Sequence, residues 1–168
     1  MIAVENADLI DQARELLQTC RRKQLRIATA ESCTGGLVAA VLTEIAGSSD
    51  VFDRAFVTYS NAAKEIMLGV DPQILAVHGA VSRETAVAMA HGALARAGVD
   101  LVVAITGIAG PQGETASKPV GLVHFAAASR RGQMVHEEQR YGNPGRSIVR
   151  QACVSQSLFI FRQLADRE

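Results

Sequence analysis

The run Asp100-Leu101-Val102-Val103-Ala104-Ile105 has five consecutive apolar residues after its single charge. A strand wetted on one face alternates polar and apolar residues, so a strand without alternation needs apolar cover on both faces. The neighbouring segments supply that cover. Residues 83–97 put Ala86, Met89, Ala90, Ala93 and Leu94 on one helical face, an alanine-rich side suited to close approach to a sheet, and Gly98 stops the helix. Residues 6–22 put Leu9, Ile10, Ala13, Leu16 and Leu17 on one face, with Asn6 or Asp8 as cap. Helices are also expected from Leu37 to about Glu44, stopping near Gly47, over 62–68, from Pro72 through Ala76, and over 146–165.

Strands are expected over 25–30, 51–60, 121–127 and 134–141, the last two forming a hairpin across Ser129-Arg130-Arg131-Gly132. Elements that alternate first and end in a hairpin predict one domain over residues 1–168, of α/β class: a three-layer α/β/α sandwich with a mixed β-sheet. Local patterns do not specify the strand order.

Two glycine-rich junctions follow strands, Thr29-Ala30-Glu31-Ser32-Cys33-Thr34-Gly35-Gly36 and Thr106-Gly107-Ile108-Ala109-Gly110-Pro111-Gln112-Gly113. In open α/β sheets ligands gather beyond the strand ends, so both junctions point to one site. The first turns from strand to helix, and its N–H groups from Thr34 to Gly36 are expected to be free to meet an anion or developing negative charge.

Several function classes are disfavoured. Seventeen basic and 17 acidic side chains give zero formal charge without a long basic block, so no nucleic-acid footprint is present. No apolar run spans a bilayer. Cys20, Cys33 and Cys153 are an odd count without CxxC spacing, and the N-terminus lacks leader architecture, which points to a soluble protein in a reducing cytoplasm. His78, His91, His124 and His136 show neither HxH nor HExxH spacing, so no metal is expected. His91 reads as a helix-surface residue and His124 as a hydrogen-bonded core histidine.

Each candidate has an ordinary alternative. Ser32 reads first as a helix cap and second as a nucleophile, which needs a base and oxyanion donors. Its surroundings are not the GxSxG elbow, and no Ser-His-Asp set accompanies it. Lys64 reads first as a solvated helix lysine. It also follows Tyr59-Ser60-Asn61 at a strand end, where desolvation would lower its pKa and make it a base, with Tyr59 relaying or orienting the proton. Cys33 reads as packing, because adjacent side chains diverge. Arg146 and Arg150 share a helical face, either solvated or clamping a phosphate.

Taken together, Ala30-Glu31-Ser32-Cys33-Thr34-Gly35-Gly36-Leu37, Thr58-Tyr59-Ser60-Asn61 with Lys64, Gly79-Ala80-Val81-Ser82, Thr106 to Pro111 and Lys118-Pro119-Val120-Gly121 closely resemble the C-terminal domain of the competence/damage-inducible CinA proteins. The resemblance covers nearly the whole chain, in order. It implies a fold related to the anticodon-binding-domain type and a cofactor-free, metal-independent amidohydrolase that converts nicotinamide mononucleotide and water to nicotinate mononucleotide and ammonia. It places the nucleophile on Ser32, the base on Lys64 and an assisting tyrosine on Tyr59. Thr34, Gly35, Gly36, Asn61, Thr106 and Gly107 fall where the family holds its substrate, and Arg146 is kept as a substrate contact.

Where the family usually has Gly-Asp-Arg, this chain reads Pro144-Gly145-Arg146, keeping the arginine without the acid. It looks like the stand-alone form, without the molybdopterin-cofactor-binding-like domain of full-length CinA proteins. The expected partner is a small-molecule substrate, with a homo-oligomer left open. The competing expectations are a non-catalytic nucleotide-binding or regulatory domain, or a protein-interaction domain linked to competence or DNA damage.

Overall fold

The computed structural model describes residues 6–168. The N-terminal residues on which the absence of a leader was partly read, 1–5, lie outside them. Helix α1 (Ala7–Arg22) is capped by Asn6, whose side chain accepts from the N–H groups of Asp8 and Leu9. Strand β1 (Ile27–Glu31) follows, then α2 (Leu37–Thr43) and β2 (Phe52–Val57). Helices α3 (Asn61–Leu68), α4 (Pro72–His78) and α5 (Arg83–Ala97) lead to β3 (Leu101–Gly107). Strands β4 (Leu122–Ser129) and β5 (Met134–Arg140) and helix α6 (Arg146–Arg167) complete the chain.

Several boundaries shift from the sequence reading, two of them with a clear local cause. Helix α2 stops at Thr43, whose hydroxyl bonds the carbonyls of Ala39 and Ala40; Gly47, at φ +76°, instead opens a single 3₁₀ turn over Ser48–Asp50. Strand β2 covers six residues, since Thr58 onward leaves the sheet to reach the cap of α3.

The five strands lie in the order β2-β1-β3-β4-β5, with β1 parallel to both β2 and β3 and the β4–β5 hairpin antiparallel. The unbroken apolar run of β3 is buried on both faces. Leu101, Val103 and Ile105 enter the core beneath α1, α2 and α6, whereas Val102 and Ala104 meet the core beneath α3, α4 and α5. The second face is largely alanine: Ala28, Ala30, Ala104, Ala126 and Ala128 receive Ala86, Ala90 and Ala93 of α5. Small residues on both partners let the helix sit close to the sheet.

Gly92 extends that closeness to α3, because a Cβ there would lie 2.0 Å from the Leu68 carbonyl oxygen. His124 is buried on the α5 face with its Nδ1 3.1 Å from His136 Nε2, the rings stacked; burial pushes both imidazoles below their usual pKa. Among the described residues no helix is long and apolar enough to cross a membrane.

The connection from β1 through α2 to β2 runs on one face of the sheet, and that from β2 through α3–α5 to β3 on the other. The chain therefore reverses direction across the sheet between β1 and β3. Such a switch point opens a crevice beyond the carboxyl ends of the two strands.

Candidate active site

Both glycine-rich junctions meet in that crevice. Ser32 leaves β1 with its N–H bonded to the Ile105 carbonyl of β3 at 2.9 Å, which fixes the serine beside Thr106 and Gly107. Gly107 lets the end of β3 lie close against β4, since a Cβ there would lie 2.7 Å from Val123 Cγ2 and 2.9 Å from the Leu122 carbonyl oxygen. Thr106 donates its hydroxyl to the Ala80 carbonyl at 2.6 Å and so ties in the connector ahead of α5.

Lys64 enters from α3. Ser60 caps that helix by accepting from the Ala63 N–H, and one turn later Lys64 points inward rather than to solvent. It is only 1 % exposed and is among the largest fully buried side chains. Its Nζ donates to the Thr58 carbonyl at 2.9 Å and lies 3.1 Å from Ser32 Oγ. No carboxylate pairs with it among the described residues. Burial pulls the ammonium below its ordinary pKa of 10.5, with the nearby Cys33 acting in the opposite sense. A buried amine without a counter-ion favours its neutral form, the form able to accept a hydroxyl proton. The solvated-lysine alternative is thus overturned.

Ser32, Lys64, Tyr59, Thr106, Gly107 and Arg146 line one open cavity of about 240 Å³. Tyr59 sits at its mouth, 61 % exposed, and its hydroxyl accepts from Arg146 Nη2 at 2.8 Å rather than bonding Ser32 or Lys64. Arg146 also donates from Nη1 to the Gly110 carbonyl, so one guanidinium joins the segment after β2 to the loop after β3. Arg150 turns toward the nucleophile loop and donates to the Thr34 carbonyl at 2.7 Å.

Thr34, Gly35, Gly36 and Asn61 do not line this cavity. Thr34 is fully buried beneath the turn, and Asn61 is exposed at the first residue of α3. Gly35 and Gly36, at φ +59° and +92°, are the left-handed residues that make the bend, a backbone role. Nor is the α2 terminus free. The Gly35 N–H bonds the Ser32 carbonyl and that of Leu37 the Thr34 carbonyl, while those of Gly36, Val38 and Ala39 bond the Glu31 carboxylate. The expected anion-attracting helix start is already occupied by an anion from the chain itself.

Sequence reasoning passed over Glu31, although a carboxylate between a strand and a glycine pair is the available signal. Cys33 packs into the α1/α2/α6 core and hydrogen-bonds Cys153, yet it also forms part of the cavity wall. The Cys153 thiol is pushed well up by that bond and by burial. Among the turn's backbone donors, the Cys33 and Thr34 N–H groups have no acceptor among the described residues, and only Cys33 borders the cavity.

Fold and site together define a three-layer α/β protein with a buried serine–lysine pair at the switch point of its sheet. A model of the CinA C-terminal domain matches residues 10–165, and the chain belongs to that family. It is 46% identical over 147 residues to the nicotinamide-nucleotide amidohydrolase PncC of Escherichia coli K12, covering 88% of this chain and 89% of that protein. A CinA-like protein of Syntrophobacter fumaroxidans is 50% identical over 146 residues; the match spans 87% of this chain but only 34% of that longer protein. The crystal structure of the competence/damage inducible protein CihA from Agrobacterium tumefaciens superimposes with a TM-score of 0.93 at 52% identity, covering 94% of this chain and 96% of the other.

Proposed function

We propose that this chain is a nicotinamide-nucleotide amidohydrolase that hydrolyses the carboxamide of nicotinamide mononucleotide to nicotinate mononucleotide and ammonia. The observation that carries this reading is the 3.1 Å approach of a buried, counter-ion-free Lys64 Nζ to Ser32 Oγ at the cavity wall. The relative of nearly equal length that bears the amidohydrolase name supplies the substrate.

In this reading Ser32 Oγ attacks the carboxamide carbon as Lys64 takes its proton. The carbonyl oxygen becomes an oxyanion, steadied by the free Cys33 N–H. Lys64 returns the proton to the leaving nitrogen, ammonia departs, and a Ser32 ester of the nicotinoyl group remains. Water activated by the same amine then attacks the ester and releases the carboxylate product. Arg146 and Tyr59, tied together at the mouth, hold the substrate: the guanidinium meets the phosphate, and the tyrosine orients the nucleotide toward Ser32. Thr106 and Gly107 shape the inner wall. The chain acts in this reading as one domain over residues 1–168, in the cytoplasm, without cofactor or metal.

Purified protein incubated with nicotinamide mononucleotide is expected to release ammonia and nicotinate mononucleotide in equal amounts, with or without chelator. Ser32→Ala is expected to abolish both products. Saturable nucleotide binding with no ammonia released would replace this reading with a non-catalytic binding domain.

A further inference from the structure

Glu31 is fully buried, directly ahead of Ser32, yet it does not line the cavity. A buried carboxylate is costly unless its lone pairs are met by donors. Here four donors meet it: Thr29 Oγ1 at 3.1 Å and the N–H groups of Gly36, Val38 and Ala39 at 3.0, 3.1 and 2.9 Å. Three of these belong to the start of α2, where helix N–H groups lack intrahelical partners and the dipole favours negative charge. The usual solution is a capping side chain at the helix boundary itself. That boundary is Gly36, which has no side chain and whose φ of +92° disfavours one.

Capping from Glu31 has a geometric result that a local cap lacks. The residue is held in the sheet through its own backbone, the Thr58 N–H donating to its carbonyl at 2.9 Å. Its carboxylate holds the far end of the turn. The bond to Gly36 thereby closes a loop of chain whose interior is Ser32, Cys33, Thr34 and Gly35. The bond between the Ser32 N–H and the Ile105 carbonyl pins that loop to β3.

We propose that Glu31 is a positioning residue for the nucleophile: by closing the Ser32–Gly35 turn onto the start of α2, it holds Ser32 Oγ within reach of Lys64 Nζ. The proposal rests on the amidohydrolase reading for its assay but concerns the placement of Ser32 itself. Glu31 acts through geometry and not by contact with the base: its carboxylate meets Thr29 and the start of α2, whereas Lys64 Nζ meets Ser32 and the Thr58 carbonyl.

The test uses Glu31→Gln and Thr29→Val in the full chain. Melting temperature, kcat and KM for nicotinamide mononucleotide and the pH–rate profile are measured, together with the rate at which a fluorophosphonate probe labels Ser32. Glu31→Gln turns an amide donor toward backbone donors. It is expected to lower kcat by about 10- to 100-fold, the scale for a misplaced reacting group, with KM within about twofold and the pH profile unmoved. Thr29→Val removes one of the four bonds and is expected to lower kcat by a smaller factor while staying folded.

A Glu31→Gln protein that melts earlier but keeps wild-type kcat would reduce Glu31 to a stability cap. A raised KM at constant kcat would make it a substrate contact. Should Glu31→Gln fail to fold, an unchanged kcat in Thr29→Val overturns the proposal. If the wild type labels at Ser32 but leaves nicotinamide mononucleotide intact, the substrate reading fails, and slower labelling in the variants upholds the positioning role. A wild type with neither labelling nor turnover overturns both.

Discussion

Gly92→Ala is the substitution that most directly couples packing to the site. Gly92 lies on α5 against the last residue of α3, and an added Cβ would sit 2.0 Å from the Leu68 carbonyl oxygen, 2.9 Å from its carbonyl carbon and 3.1 Å from its Cβ. The obstacle is backbone, which cannot rotate aside, so α3 and α5 must separate by about 1.4 Å to restore ordinary contact. Alanine gains about 1 kcal/mol over glycine in a helix interior. Overpacking a filled contact costs about 3 kcal/mol at the upper end of its usual range. The clash therefore wins by about 2 kcal/mol, which for a chain of this size lowers Tm by about 4–8 °C.

Leu68 is one helical turn from Lys64, and α3 moves as a rigid rod, so the amine retreats from Ser32 by a similar distance. A displacement of about 1 Å in a catalytic pair costs about 10²-fold in rate. Thermal unfolding and steady-state kcat on the same sample check both halves. A Gly92→Ala protein with unchanged or raised Tm and full kcat would refute the packing argument and the rigid coupling of α3 to the base.

Lys64→Met is expected to abolish turnover and to raise stability at neutral pH. The folded-state pKa of Lys64 lies below 10.5, so between the two values the unfolded chain holds a proton that the folded chain does not. Stability should therefore rise with pH across that window in the wild type, and Met should remove this dependence; denaturant titrations at several pH values measure it. For the same reason kcat should rise with pH as Lys64 deprotonates, with its acid limb below the ordinary lysine pKa. Cys33→Ala is expected to keep kcat within about threefold, because the amine meets the serine hydroxyl; loss comparable to that of Ser32→Ala would transfer the nucleophile role to the thiol. Arg146→Lys should raise KM by about 10-fold or more with a smaller effect on kcat, since an ammonium cannot span both Tyr59 and Gly110.

Much of this fold is legible in the chain. The bounds of α5, the unbroken β3, the β4–β5 hairpin and the three-layer class follow from periodicity and glycine punctuation, which are local properties. The order of motifs also indicates the family before any coordinate is consulted. The site is only half legible. The structure sets Ser32, Lys64, Thr106, Gly107, Tyr59 and Arg146 on one cavity and leaves Thr34, Gly35, Gly36 and Asn61 outside its lining, a difference the chain does not reveal because a glycine pair looks alike whether its N–H groups greet a ligand or are already bonded.

The residues determined by themselves which segments are strands and which are helices, since backbone preference and side-chain period act over a few neighbours. Tertiary structure alone decided what the ends of those segments face. A parallel sheet in the order β2-β1-β3 sets Ser32 beside Ile105 and brings Lys64 under cover. Burial then changes the chemistry of that amine. The same packing brings the start of α2 onto the Glu31 carboxylate, so that an apparent anion site becomes the clasp around the nucleophile. Desolvation and hydrogen-bond satisfaction are properties of the folded environment, and no local pattern contains them.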